Sequence, residues 1–175
     1  MQFTVEQIAL FPLPGRREIA LELLSLLGFT HGKPWVTDTV EARGEVWGRP
    51  ARSTGQLAFA YQALTKPLEI EVLAYDEYSP NWMEAVPLPA VSHLGMHCSS
   101  AELDAWNEKM TALHIGIAQT VITDSHTNPA IAGTRRYNYV IYDTRAIIGV
   151  DLKFIVRYDA EMNEYMEPGQ AEKVK

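Results

Sequence analysis

The feature that most constrains the fold is an order of elements that occurs twice. Residues 4–11 read as a short strand, which Pro12, Pro14 and Gly15 break. From Arg16 to Leu27, the residues Ile19, Leu23, Leu26 and Leu27 recur at helical spacing, and Gly28 follows as a C-terminal cap. Three strands are predicted next, at 35–47 with an irregularity near Gly44, at 55–63 and at 67–75. The last two are joined by a turn at Leu64-Thr65-Lys66. Pro80, Pro87 and Pro89 then mark residues 80–89 as a linker. After it the order begins again. Residues 91–98 read as a strand, and Ser99-Ser100-Ala101-Glu102 has the form of a capping box. Leu103, Trp106, Met110 and Leu113 fall on one helical face, and strands follow near 116–123, 136–142 and 146–156. The last pair turns at Asp143-Thr144-Arg145, and 124–133 is a polar loop. The separation from Gln7 to the helix end at Gly28 equals that from His93 to His114.

These elements predict an α+β protein of two tandem βαβββ modules. Together they form a curved mixed sheet, a half-barrel cup, with helices on the outer face. The expected divisions are 1–79, a linker at 80–90, 91–158, and an acidic, solvated C-terminal tail at 159–175.

Strand alternation divides the faces. Leu68, Ile70 and Val72 share one face of their strand, and Glu69 and Glu71 the other. Ile148, Val150, Leu152 and Phe154 oppose Asp151 and Lys153. The apolar faces should pack on the helices and the polar faces should line the concave side. Any antiparallel sheet with one wet face gives the same alternation with no site at all. His93 lies amid Val91, Leu94 and Met96 and is expected to be buried, with His97 further along the same face. Arg135, Arg136, Tyr137 and Tyr139 suit an anionic group of a substrate. Trp35, Trp47, Trp82 and Trp106 read as core or interface anchors, and Cys98 as a small core residue.

Composition excludes several classes. The formal net charge of −7 argues against a nucleic-acid partner. No run approaches the ~20 apolar residues of a membrane span, and no signal peptide is visible. A single cysteine rules out an internal disulfide and fits a cytoplasmic setting. Walker, GxGxxG and HExxH motifs are absent.

Four segments carry a family resemblance: Leu26-Leu27-Gly28-Phe29, the strand from Val91 to His97, Leu68-Glu69-Ile70-Glu71-Val72, and Gly149-Val150-Asp151-Leu152. With the element order they resemble the vicinal oxygen chelate superfamily, which includes glyoxalase I, extradiol dioxygenases and bleomycin-resistance proteins. The resemblance implies one divalent ion (Ni, Co, Mn, Fe or Zn) held by Gln7, His93, Glu71 or Glu69, and Asp151. Asp151 departs from the usual Glu. It implies Glu71 or Asp151 as the proton-transferring base for a small oxygenated substrate; His97, Arg136 and Tyr139, by their strand positions, are the candidate residues facing that substrate. The implied function is that of a glyoxalase-like isomerase or lyase that forms an enediolate. The alternatives are a non-enzymatic binding protein of bleomycin-resistance type, resting on Phe59, Tyr61 and Tyr139, and an iron-dependent extradiol dioxygenase. Such proteins often form homodimers, and the implied partner is a small molecule.

Overall fold

A computed structural model describes residues 4–61, 68–128 and 132–165 of the chain. The elements in order are β1 (Gln7–Phe11), α1 (Arg17–Leu26), β2 (Val36–Val46), β3 (Arg49–Tyr61) and β4 (Glu69–Tyr75). They are followed by β5 (Ala90–His97), α2 (Ser100–Ala112), β6 (Ile117–Asp124), β7 (Arg136–Tyr142), α3 (Arg145–Ile148), β8 (Asp151–Tyr158) and β9 (Glu164–Tyr165). The sheet runs β5-β1-β4-β3-β2-β6-β7-β8-β9, and β5 also pairs with β8. Eight strands therefore close into a barrel, where the sequence suggested an open half-barrel cup. The short β9 extends β8 beyond its pairing with β5. β1 runs parallel to β4 and β5 parallel to β8, while the antiparallel β1–β5 and β2–β6 ladders seam the ring shut.

The alternation expected from sequence sets inside from outside. Val72 and Ala58 face outward against Leu21, with Leu24 and Trp35 packed alongside. Phe154 and Val156 face Met110, with Leu103 and Trp106 of α2. The Ser99/Glu102 capping box closes the N-terminus of α2, a device that contributes about 1 kcal/mol. Cys98 is buried in the same cluster.

Elsewhere the structure departs from the expectation. On α1 only Leu21 is buried, whereas Ile19, Leu23, Leu26 and Leu27 are 55%, 55%, 79% and 65% exposed. The helix is apolar over more than half its circumference, so spacing alone could not select a face. The Trp35 indole selects it by donating to Leu21 O and Ser25 Oγ. Residues 48–54, left between the strands predicted at 35–47 and 55–63, belong to the β2–β3 hairpin. Trp47 and Gly48, both with positive φ, make its two-residue turn. Pro50 is tolerated there because β3 at that point is paired on the β2 side only. The predicted strand at 146–156 starts only at Asp151. Residues 145–148 form one helical turn, which Gly149 ends at φ 82°.

The segment expected as a linker packs back onto the barrel. Trp82 and Met83 are each 2% exposed and pack with Phe11, Ala118 and Ile141, plugging one end of the barrel. The tail is ordered through β9, where Asp159 accepts from Asn163. Its remainder and the turn at 64–66 fall outside the described residues. No helix among the described residues is long and apolar enough to cross a membrane.

Candidate functional site

The barrel encloses a cavity of about 570 Å³, within the usual range for small-molecule sites. Its wall is aromatic, built from Trp35, Phe59, Tyr75, Trp82, Tyr137 and Tyr139. Trp82 closes the end near His93, with ring centroids 5.8 Å apart. Trp35, Asp38, Arg135 and Arg157 stand toward the other end.

The polar floor is a cluster around one ammonium group. Lys153 Nζ lies 3.0 Å from Gln7 Oε1, 3.2 Å from His93 Nε2 and 3.7 Å from Glu71 Oε2. It also sits 4.6 Å from the centre of the Tyr139 ring, a cation–π distance. His93 Nε2 is 2.9 Å from Gln7 Oε1 and 3.3 Å from Glu71 Oε2, and its Nδ1 is 3.0 Å from Ser92 Oγ. Gln7 Nε2 donates to Glu69 Oε1. Gly95 makes this packing possible, because a Cβ there would stand 2.9 Å from both Gln7 Cβ and Gln7 Oε1. Gly95→Ala is expected to push Gln7 aside at a cost of about 1–3 kcal/mol, measured as a lowered urea midpoint.

Charge in the floor is fixed by these contacts. Burial works to raise the Glu71 carboxyl, but the Lys153 ammonium and hydrogen bonding to His93 outweigh it and hold its pKa at about 2. Burial, reinforced by the Lys153 charge, pulls His93 down to about 4 against the opposing pull of Glu71. Both shifts weaken the fold on the acid side. Below pH 6.5 the unfolded chain protonates His93 while the folded chain resists until about pH 4. Below pH 4.5 Glu71 repeats the pattern down to about pH 2. Stability should therefore be flat above neutrality and fall steadily from pH 6.5 downward, as chemical denaturation across that range would read.

Of the residues singled out by sequence, Gln7, Glu69, Glu71 and His93 line the cavity together. Asp151 does not line it. Its carboxylate accepts from Trp82 Nε1 at 3.1 Å and from the backbone and side chain of Arg145 at 3.0 and 3.1 Å. The registers explain why. Gln7 pairs with Glu69 and Ala9 with Glu71, while His93 pairs with Asp151 and Gly95 with Lys153. By strand position Asp151 matches Glu69, and the position matching Glu71 is Lys153. His97 lines the cavity and pairs with Glu6, and burial lowers its pKa. Tyr139 lines it too. Phe59 does so as well, while the Tyr61 side chain lies outside what is described. Arg136 does not reach the cavity. It alternates with the inward Arg135 and Tyr137 and pairs with Asp124 at 2.8 Å instead.

Sequence reasoning missed Lys153, Arg157, Asp38 and Trp82 as site residues. For Lys153 the signal was its place between Leu152 and Phe154, on the same strand face as Asp151. Asp38 is a buried acceptor for the amides of Thr39, His126 and Thr127 at 2.8, 3.1 and 2.6 Å, and for the Ser125 and Thr127 hydroxyls. It fastens the 125–127 loop to β2. These hydrogen bonds outweigh burial and lower its pKa.

No protein-family model and no curated protein matches this sequence. Among solved structures, a mutant of 4-hydroxymandelate synthase from Streptomyces coelicolor superposes with a TM-score of 0.57 at 10% identity. The match covers 98% of this chain and 52% of that one, so the chain spans about half the length of the synthase. Methylmalonyl-CoA epimerase from Mycobacterium tuberculosis matches with a TM-score of 0.42 at 14% identity, covering 86% of this chain and 85% of that one. A Streptomyces coelicolor methylmalonyl-CoA epimerase in complex with 2-nitronate-propionyl-CoA gives 0.48 at 11% identity, covering 88% and 97%.

Proposed function

The chain has the vicinal oxygen chelate fold, and from that premise we propose that it binds a small, flat organic molecule inside its barrel without a resident metal, as a sequestration protein of bleomycin-resistance type. The observation that carries this reading is the position of Lys153. We read the two βαβββ halves, within 1–79 and 91–158, as tandem modules joined at 80–90. In support, the β1–β5 ladder pairs Gln7 with Gly95 and Ala9 with His93, the crosswise pattern of two equivalent strands. Lys153 is then the second half's counterpart of Glu71, a cation standing where a fourth ligand would be.

The donors present do not fit a divalent ion. Gln7, Glu71 and His93 converge, but on an ammonium 3.0–3.7 Å from all three. A metal bound at the ~2.0–2.2 Å of oxygen and imidazole ligands would have to share that space with a like charge. The fourth expected ligand, Asp151, is held by Arg145 and Trp82. The aromatic cavity supplies what a flat ligand needs instead. The buried thiol of Cys98 and the net charge of −7 accord with a cytoplasmic protein whose partner is not a nucleic acid.

The convergence of Gln7, Glu71 and His93 favours one second reading, a glyoxalase-like isomerase or lyase. It requires Lys153 to withdraw and a metal to take its place. Elemental analysis of the purified protein and titration with nickel and cobalt separate the two. Substoichiometric metal and no heat of metal binding are expected, and one tightly held ion per chain would overturn the metal-free reading.

A further inference from the structure

We infer that the ligand is a hydroxylated aromatic acid, a flat ring system with a hydroxyl at the floor and a carboxylate at the mouth. This rests on the reading of the barrel as a ligand-binding cavity. Two groups on the cavity wall with hydrogen-bonding capacity to spare define the ends. At the floor, Glu71 Oε2 is buried, and its two cationic or imidazole neighbours, Lys153 and His93, stand off at 3.7 and 3.3 Å, which leaves room for a closer donor. A ligand hydroxyl fits there, donating to Glu71 Oε2 and accepting from Lys153.

Toward the mouth, Arg157 lines the cavity and its Nη1 is buried with no hydrogen-bond partner. Of the carboxylates nearby, Asp124 pairs with Arg136, Asp38 with the 125–127 loop, Glu6 with His97, and Glu69 accepts from Gln7. The Nη1 edge of the guanidinium is open to a ligand, and its fork matches a carboxylate. Between the two ends the wall is apolar and aromatic, with Ile155, Tyr139, Tyr137 and Phe59. Lys153 and Arg157 are four residues apart on one strand face, about 13 Å between backbones. Less the reach of the two side chains, that spacing suits a fused two-ring system.

The test is calorimetric titration of the full chain with three probes: a hydroxynaphthoate bearing its two groups at opposite ends, the naphthoate lacking the hydroxyl, and the corresponding hydroxynaphthamide. The hydroxynaphthoate should bind tightest. Loss of the hydroxyl should weaken binding about 10-fold, and replacement of the carboxylate by the amide about 10- to 100-fold. Arg157→Met should erase the preference for acid over amide, and Arg157→Lys should restore part of it. Equal affinity for acid and amide in the wild-type chain, or a preference that survives Arg157→Met, overturns the acid assignment and leaves the cavity reading standing. No binding of any probe at millimolar concentration overturns both.

Discussion

Lys153→Glu is expected to turn the cavity floor into a divalent-metal site. The substitution places a carboxylate at the strand position matching Glu71, facing Gln7 and His93, with the like-charged ammonium gone. An amide, an imidazole and two carboxylates suit a six-coordinate ion with two positions left for water. The purified variant should take up one nickel or cobalt ion per chain, and the wild type should take up none. At a metal concentration 100-fold above Kd, the gain of about 2.7 kcal/mol should raise Tm by roughly 5–10 °C. In chelator, the same variant should be less stable than wild type by about 3–5 kcal/mol, because two buried carboxylates then face each other without a counter-charge. Lys153→Met should gain no metal, which separates the placed carboxylate from mere removal of the lysine. A Lys153→Glu chain that folds, by circular dichroism, yet shows no metal-dependent shift would refute the matching of Lys153 with Glu71.

Asp38→Ala should be the most damaging single change away from the floor. Asp38 is 8% exposed and accepts from three backbone amides and two hydroxyls. Alanine leaves those donors without their acceptor in a confined space, and a loss of about 3–4 kcal/mol is expected in urea unfolding. Asp38→Asn should lose less, since one acceptor oxygen survives. Because the Asp38 pKa is lowered in the folded chain, its contribution is complete above the ordinary carboxylate pKa of about 3.9 and fades as pH falls through the folded value. The difference between wild type and Asp38→Ala should therefore narrow in acid. A constant difference from neutral pH down to pH 2 would show that the carboxylate charge is not what holds the loop.

The elements legible in the sequence were those whose pattern is local. The capping box at Ser99, the alternation through Glu69–Glu71 and through Asp151–Lys153, and the helical spacing of α2 each lie within a few residues, and each marks a real element. What sequence could not supply was set by partners far along the chain. Whether α1 buries Leu21 or Leu23 depends on Trp35. Whether 80–89 is a spacer or a plug depends on a barrel end lined by Phe11, Ala118 and Ile141. The site was half legible for a similar reason. Gln7, Glu71 and His93 were found because they sit on inward strand faces. Glu71 and Glu69 both stood as the counterpart of Asp151, because the two share a face and only the ladder register, which matches Asp151 with Glu69, separates them. Since side chains alternate with period two, a two-residue slip keeps the facing and changes the depth.

The β5–β8 pairing also has a consequence for how the chain matures. β1 finds its parallel neighbour only after β4 is made and its antiparallel neighbour only after β5. The ring itself shuts only once β8 has emerged. Contacts this distant in sequence should slow folding, and the cavity is not complete until β8 is in place. Small molecules that occupy it should act as pharmacological chaperones, drawing late intermediates toward the finished barrel.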